Sequence, residues 1–318
     1  MSDFETVAST ENQDARRGVS GDPRTPGRIG QPNKPRSLAG DAWRDLRRKP
    51  IFWISLLLVL LITAMAVAPG LFTRNDPADC VLARQHAAPS GGALFGYDFQ
   101  GCDTYARAVY GARASLLVGA LSALLTGVVA LVVGMLAGYF GGWVDAVLSR
   151  IVDIVLGIPL LLAAIVLLKR VASDSATVRL ASVIFVLAVL GWTTTARVVR
   201  SSVITARQQD YVAAARMLGA GNGRIMWRHI LPNALAPAIV VLTIALGSFI
   251  AAEATLSFLG IGLKEPTISW GIDINNGRVH MRESATPLVV PSTFLALTVL
   301  AFIMLGDAIR DAFDPKLR

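Results

Sequence analysis

Residues 51–73 read IFWISLLLVLLITAMAVAPGLFT, with no charged side chain from end to end. About 20 apolar residues suffice to cross the hydrocarbon core of a bilayer as an α-helix, so this run is long enough to span. Residues 114–144 and 284–306 match it in length and lack of charge. Residues 229–252 are also uncharged, with the apolar part beginning near Leu235, and 180–196 is a shorter run that lengthens if its flanking arginines reach toward the interface. The run 154–168 spans only by borrowing the preceding turn that holds Asp145, Arg150 and Asp153. Counting it, the pattern predicts an all-α integral membrane protein with six helices near 51–73, 114–142, 145–168, 180–199, 235–259 and 285–307.

Composition agrees. Hydrophobic residues fill 53% of 318 positions and the mean hydropathy is +0.55, too apolar for an ordinary soluble domain. The net charge of +8 is split among separate segments: ten Lys and Arg lie in the first 49 residues, six in 197–228, and Arg310, Lys316 and Arg318 at the C-terminus. With six spans the positive-inside rule puts all three in the cytoplasm, the loop 74–113 outside and the polar island 200–232 inside. Lys169, Arg170 and Arg179 then sit outside, a smaller excess of the opposite sense. Separated charge of this kind suits topology and anionic lipid, and no nucleic-acid recognition module accompanies it. Residues 1–40, rich in Arg, Pro, Gly and Ser without apolar periodicity, read as a disordered cytoplasmic tail, leaving 41–318 as one membrane domain.

Self-contained catalysis is excluded motif by motif. No lysine follows a glycine, so there is no phosphate-binding loop; no histidine begins His-Glu; and Gly-x-Ser-x-Gly is absent. Any ATP is therefore hydrolysed on another chain. Cys80 and Cys102 both fall in the external loop, where oxidation is permitted and a disulfide is expected, two free thiols being the other reading. With His86 alone beside them they do not make a metal shell, and no metal site is expected. Glu253 interrupts a long apolar segment and is the candidate residue of a translocation path; a carboxylic acid hydrogen-bonded to a neighbouring helix is the alternative. Gly134 and Gly138 form a Gly-x-x-x-Gly pair suited to close helix packing. Trp270 is either part of a partial loop or an interfacial anchor.

The island itself carries Asp210-Tyr-Val-Ala-Ala-Ala-Arg-Met-Leu-Gly219 and Arg228-His-Ile-Leu-Pro-Asn233. Tyr211, Ala214, Ala215 and Leu218 share one helical stripe, Gly219, Gly221 and Gly223 break the helix, and Pro232 ends the next short helix or opens a new one. This resembles the EAA loop of ABC importer membrane subunits. Tyr110-Gly-Ala-Arg-Ala-Ser-Leu116, Gly138-Tyr-Phe-Gly-Gly-Trp-Val-Asp145, Glu253-Ala-Thr-Leu-Ser-Phe-Leu-Gly260, Ser269-Trp-Gly271 and the segment from Leu305 to the C-terminus resemble the C-type permease subunit of dipeptide, oligopeptide and nickel importers. One departure is that Ala213 stands where the name-giving glutamate would be, with Asp210 one turn earlier as a substitute carboxylate.

The resemblance implies a non-catalytic, multi-pass subunit of the cytoplasmic (inner) membrane with both termini inside. It implies docking of an ATPase on Asp210, Tyr211, Ala213, Ala214, Ala215, Arg216, Leu218, Gly219, Ile230, Leu231 and Pro232. It also implies as partners a second related permease, two ATPase domains that hold ATP and Mg, an extracytoplasmic binding protein and membrane lipid. Peptides lead as the solute, with nickel or another small solute behind them. An ion-coupled secondary transporter would need more membrane carboxylates than Glu253, and a plain membrane scaffold would leave the island unexplained.

Overall fold

The computed structural model describes residues 38–171 and 173–313. The predicted tail 1–40 falls almost wholly outside them, as do Asp314, Lys316 and Arg318. The chain divides into Met1–Asp41 and Ala42–Arg318, and every spanning helix belongs to the second unit. The elements are α1 (Leu38–Leu46), α2 (Pro50–Val67), α3 (Thr104–Phe140), α4 (Gly142–Leu156), α5 (Leu160–Arg170), α6 (Ala176–Arg207), α7 (Asp210–Met217), α8 (Asn222–Ile225), α9 (Leu231–Phe258), α10 (Trp270–Val279) and α11 (Thr286–Phe313). No strand occurs among the described residues.

Five helices are long and apolar enough to cross a bilayer: α2, α3, α6, α9 with its lead-in from Asn222, and α11. The sixth span is broken. Helices α4 and α5 meet at 84° across Gly157, Ile158 and Pro159, where proline has no N–H to give and its ring clashes with a continuing helix. Neighbouring contacts show that this pair nevertheless makes a crossing. Ser122 and Thr126 of α3 donate to the carbonyls of Ile184 and Ala188 in α6, and Gly134 and Gly138 face Val199 and Val203 further on. Numbers rise together, so α3 and α6 run parallel, and only α4 and α5 return the chain between them.

Helix ends depart from the apolar runs for identifiable reasons. The first span stops at Val67, not 73, because Pro69 opens a separate turn and holds Ala68 out of the helical region. The second begins at Thr104, inside the predicted loop 74–113. Asp103 caps it by accepting from the backbone N–H of Tyr105 at 2.8 Å and of Ala106 at 3.2 Å. Arg113, one of the charges that hid this extension, donates at 3.1 Å to the Ala66 carbonyl, at the end of α2 where a cation is favoured. The fourth span runs on to Arg207, so the island is partly this helix.

Glycine lets the long helices touch. A Cβ on Gly138 would lie 2.8 Å from the Arg200 carbonyl and from Val203 Cβ, and one on Gly134 would meet Val199 at 2.7 Å. The Gly134/Gly138 pair thus packs inside this chain. Gly138→Val should destabilise the purified protein by about 2–3 kcal/mol, since backbone blocks any side-chain escape. Thermal unfolding in detergent measures it; an unchanged midpoint would mean that this helix contact is slack.

The ends also sort spatially. Lys49, before α2, pairs with Asp311 near the end of α11 at 2.8 Å. Tyr139, near the end of α3, donates to Asn222 Oδ1 at 2.8 Å. The start of α2, the end of α11 and the island between α6 and α9 therefore lie at one end of the bundle.

Candidate functional site

At that end the island folds as α7, a glycine turn, α8 and a π-type turn, Met226–Ile230, that runs directly into α9. Helix α7 stops because Gly219 adopts φ +82°, a left-handed conformation that side chains disfavour. The Gly219 and Ala220 N–H groups then donate to the Arg216 and Ala215 carbonyls, each at 3.0 Å, closing the last turn. Pro232 lies in the first turn of α9 and opens it. It cannot donate to the Arg228 carbonyl, and the wider π-type turn accommodates that missing bond.

Burial separates the expected docking residues into two groups. Val212 of α7, Ile225 and Ile230 join Met135 and Tyr139 of α3, Val199 and Val203 of α6 and Ala234 of α9 in one core cluster, and Ala215 is buried as well, at 8% exposure. Ala215 and Ile230 are therefore internal anchors, a correction to the single stripe that grouped Ala215 with Tyr211, Ala214 and Leu218. Leu231 is half-buried. Asp210, Tyr211, Ala213, Ala214, Arg216, Leu218, Gly219 and Pro232 are exposed. Met217 and Leu218 stand out at 84% and 88% exposure, and Trp227 at 68%. Sequence reasoning left out Met217 and Trp227, although both are large apolar residues in a polar island. Asp210 lies in the first turn of α7, where a carboxylate suits the helix dipole. Ala213, at the missing glutamate's position, is exposed on the following turn.

The segment is tied to the bundle by polar contacts as well. Arg207 donates to the Tyr139 carbonyl at 2.5 Å, covering the end of α3, and Asn233 Nδ2 donates to the Tyr211 hydroxyl at 2.8 Å and the His229 carbonyl at 3.0 Å. A push on α7 therefore reaches α3, α6 and α9 together.

At the opposite end Glu253 is fully buried. Its Oε2 accepts from Ser115 of α3 at 3.0 Å, and Oε1 accepts from Ser257 at 2.8 Å and from Ser269 at 3.1 Å. It touches no aqueous space in this conformation; it joins α3, α9 and the loop into α10. Trp270 is likewise fully buried, and its Nε1 donates to the Ala108 carbonyl at 2.8 Å, so it is a core residue rather than an interfacial anchor.

Beside it lies a charged cluster that no local pattern announced. Arg107 of α3 donates through Nε and Nη2 to Asp273 Oδ1 of α10 at 2.9 and 2.6 Å, with Asp98 at 3.7 Å and Glu265 at 3.8 Å. Burial pushes the Asp273 carboxyl above the usual carboxylate range, and the guanidinium works against that rise. Asp98 also accepts from the Gln100 and Cys102 backbones, and Cys102 is joined to Cys80. The loop is thus attached to both α3 and α10. Among the described residues no group of acidic, histidine and cysteine side chains could hold a metal ion.

Comparison with known proteins places this architecture. Residues 130–318 match the family described as binding-protein-dependent transport system inner membrane component, and 37–89 match the N-terminal TM domain of oligopeptide transport permease C. The dipeptide transport system permease protein DppC of Bacillus subtilis (strain 168) is 36% identical over 283 residues, 89% of this chain and 87% of its own. The oligopeptide transport system permease protein OppC of the same organism is 34% identical over 89% of this chain and 91% of its own. The glutathione transport system permease protein GsiD of Pectobacterium atrosepticum is 35% identical over 87% and 90%. A multi-pass, non-catalytic membrane protein of this descent has one family: the chain belongs to the inner-membrane components of binding-protein-dependent transport systems, the permease subunits of ABC importers.

Proposed function

We propose that this chain is the C-type permease of an ATP-driven peptide importer, paired with a second related permease over two ATPase domains. A binding protein delivers the peptide at the Glu253 end, and the exposed face of α7 docks an ATPase at the other. ATP and Mg belong to the ATPase subunits. The observation that carries this reading is the single core cluster beneath α7, because it roots one exposed segment under three spanning helices at once. Closure of the ATPases displaces α7, the ends of α3, α6 and α9 move with it, and the bundle switches between two accessible states. The names of the relatives support peptides as the solute. The distribution of Lys and Arg supports a cytoplasmic location for the α7 end and both termini.

Reconstitution in proteoliposomes with its binding protein and ATPases tests the function. Dialanine should enter only with ATP present, and uptake that survives inactivation of the ATPases would instead indicate an ion-driven carrier. Orientation is read from single cysteines in intact cells. With Cys80 and Cys102 removed, an impermeant thiol reagent should label position 90 and spare position 207; labelling at 207 reverses the topology.

A further inference from the structure

The break between α4 and α5 borders an open cavity of about 440 Å³ that is also lined by α6 and α9. Its walls include Thr193, Thr194 and Thr195 of α6 and Ser248 of α9, and no charged side chain lines it. These residues fall in the middle third of Ala176–Arg207 and Leu231–Phe258. At this depth non-helical backbone is tolerated only where protein covers it or water reaches it. Gly157, Ile158 and Pro159 are exposed, so this chain does not cover them.

The hydroxyls are a second, independent observation. Elsewhere in α6 and α9 they are engaged: Ser182, Ser202, Thr205, Thr243 and Thr255 donate to carbonyls of their own helices, Ser257 donates to Glu253, and in the cavity wall Ser248 likewise donates to the Ile244 carbonyl. Back-bonding of this kind is the ordinary resting state of a hydroxyl on a membrane helix. Thr193, Thr194 and Thr195 make no side-chain hydrogen bond among the described residues; Thr194 is exposed, and Thr193 and Thr195 are buried to either side of it. A hydroxyl is both donor and acceptor, so three free hydroxyls match a ligand that presents both. The volume falls in the range of small-molecule sites, about 300–1,000 Å³.

We propose that this cavity is the chain's share of the solute path, and that Thr193, Thr194 and Thr195 hold the backbone amides of a peptide in transit. The proposal rests on the peptide reading above and deepens it. Amide N–H and C=O groups recur whatever the side chains, so threonine contacts of this kind are sequence-tolerant. With no charge on the walls, the termini of a zwitterionic peptide are held elsewhere.

The test uses the reconstituted importer. Thr193→Val, Thr194→Val and Thr195→Val together keep side-chain shape and break no bond within the chain, so yield and binding-protein-stimulated ATP hydrolysis should match the parent. Dialanine uptake should fall about tenfold, as loss of one to two kcal/mol of hydrogen bonding implies. A diazirine-bearing dipeptide, photolysed during turnover, should label residues 190–195. Full uptake by the triple variant overturns the proposal, as does photolabel confined to other helices. Cross-linking from a photoreactive residue at 194 to the second permease, in place of the peptide, also overturns it by making the cavity a subunit seam. If the parent complex itself carries no peptide, the underlying function fails first and this assignment with it.

Discussion

Met217→Asp combined with Leu218→Asp should strip the ATPases from the complex while leaving membrane yield of the permease unchanged. Both side chains are more than four-fifths exposed, at 84% and 88%, so the chain's own packing loses almost nothing. Surface changes of this kind usually alter stability by no more than about 0.5 kcal/mol. In the proposed docked complex the same two positions lie against the partner, where two unpaired carboxylates would face desolvation. Several kcal/mol of penalty there corresponds to at least about a hundredfold loss of affinity. Affinity capture of the permease, followed by quantifying ATPase in the eluate, reads this directly. Full retention of the ATPases would place the docking face elsewhere. Ala215→Arg makes a useful contrast: it forces a guanidinium into a buried position on the inner side of α7, so it should reduce yield as well as docking.

Arg107→Ala is expected to be the most destabilising single change outside the helix seams, by about 3–5 kcal/mol, because it leaves Asp273 and Asp98 buried without their cation. Nothing then opposes the effect of burial on Asp273, which must take up a proton or draw water inward. Replacing both partners, Arg107→Leu with Asp273→Leu, should recover much of the loss, since paired burial of these charges gains little over apolar packing. Unfolding of the two variants in detergent decides the order. A double variant less stable than Arg107→Ala would mean that the pair contributes more than mutual neutralisation.

The spans were legible in the sequence because the bilayer turns length without charge into a direct physical requirement. Their ends were less so. Arg107 and Arg113 looked like loop residues, yet one is neutralised by Asp273 and the other by the open carbonyls of α2, and neither partner is near in sequence. The same separation hid the charged cluster, whose members Arg107 and Asp273 lie 166 residues apart. In the island, periodicity showed that α7 has faces but not which one turns inward. Alanines supply both sides, and the choice falls to Val212 and to Ile225 and Ile230 beyond the glycine turn. The helix expected over 145–168 is in fact broken at Pro159, which the apolar pattern passed over, and the parallel run of α3 and α6, which makes that break a crossing, required three dimensions.

The π-type turn at Met226–Ile230 adds one more residue to its turn than an α-helix would hold, immediately before the proline that opens α9. That residue sets a phase angle. Deleting one position there would rewind the turn and rotate the short segment before it, α7 and α8, by about 100° around the axis of α9, with an axial shift of about 1.5 Å. Met217 and Leu218 would then point along a different bearing while the spanning helices stayed in register. The aim of the exposed α7 face relative to the membrane bundle is thus written in the residue count of a single turn.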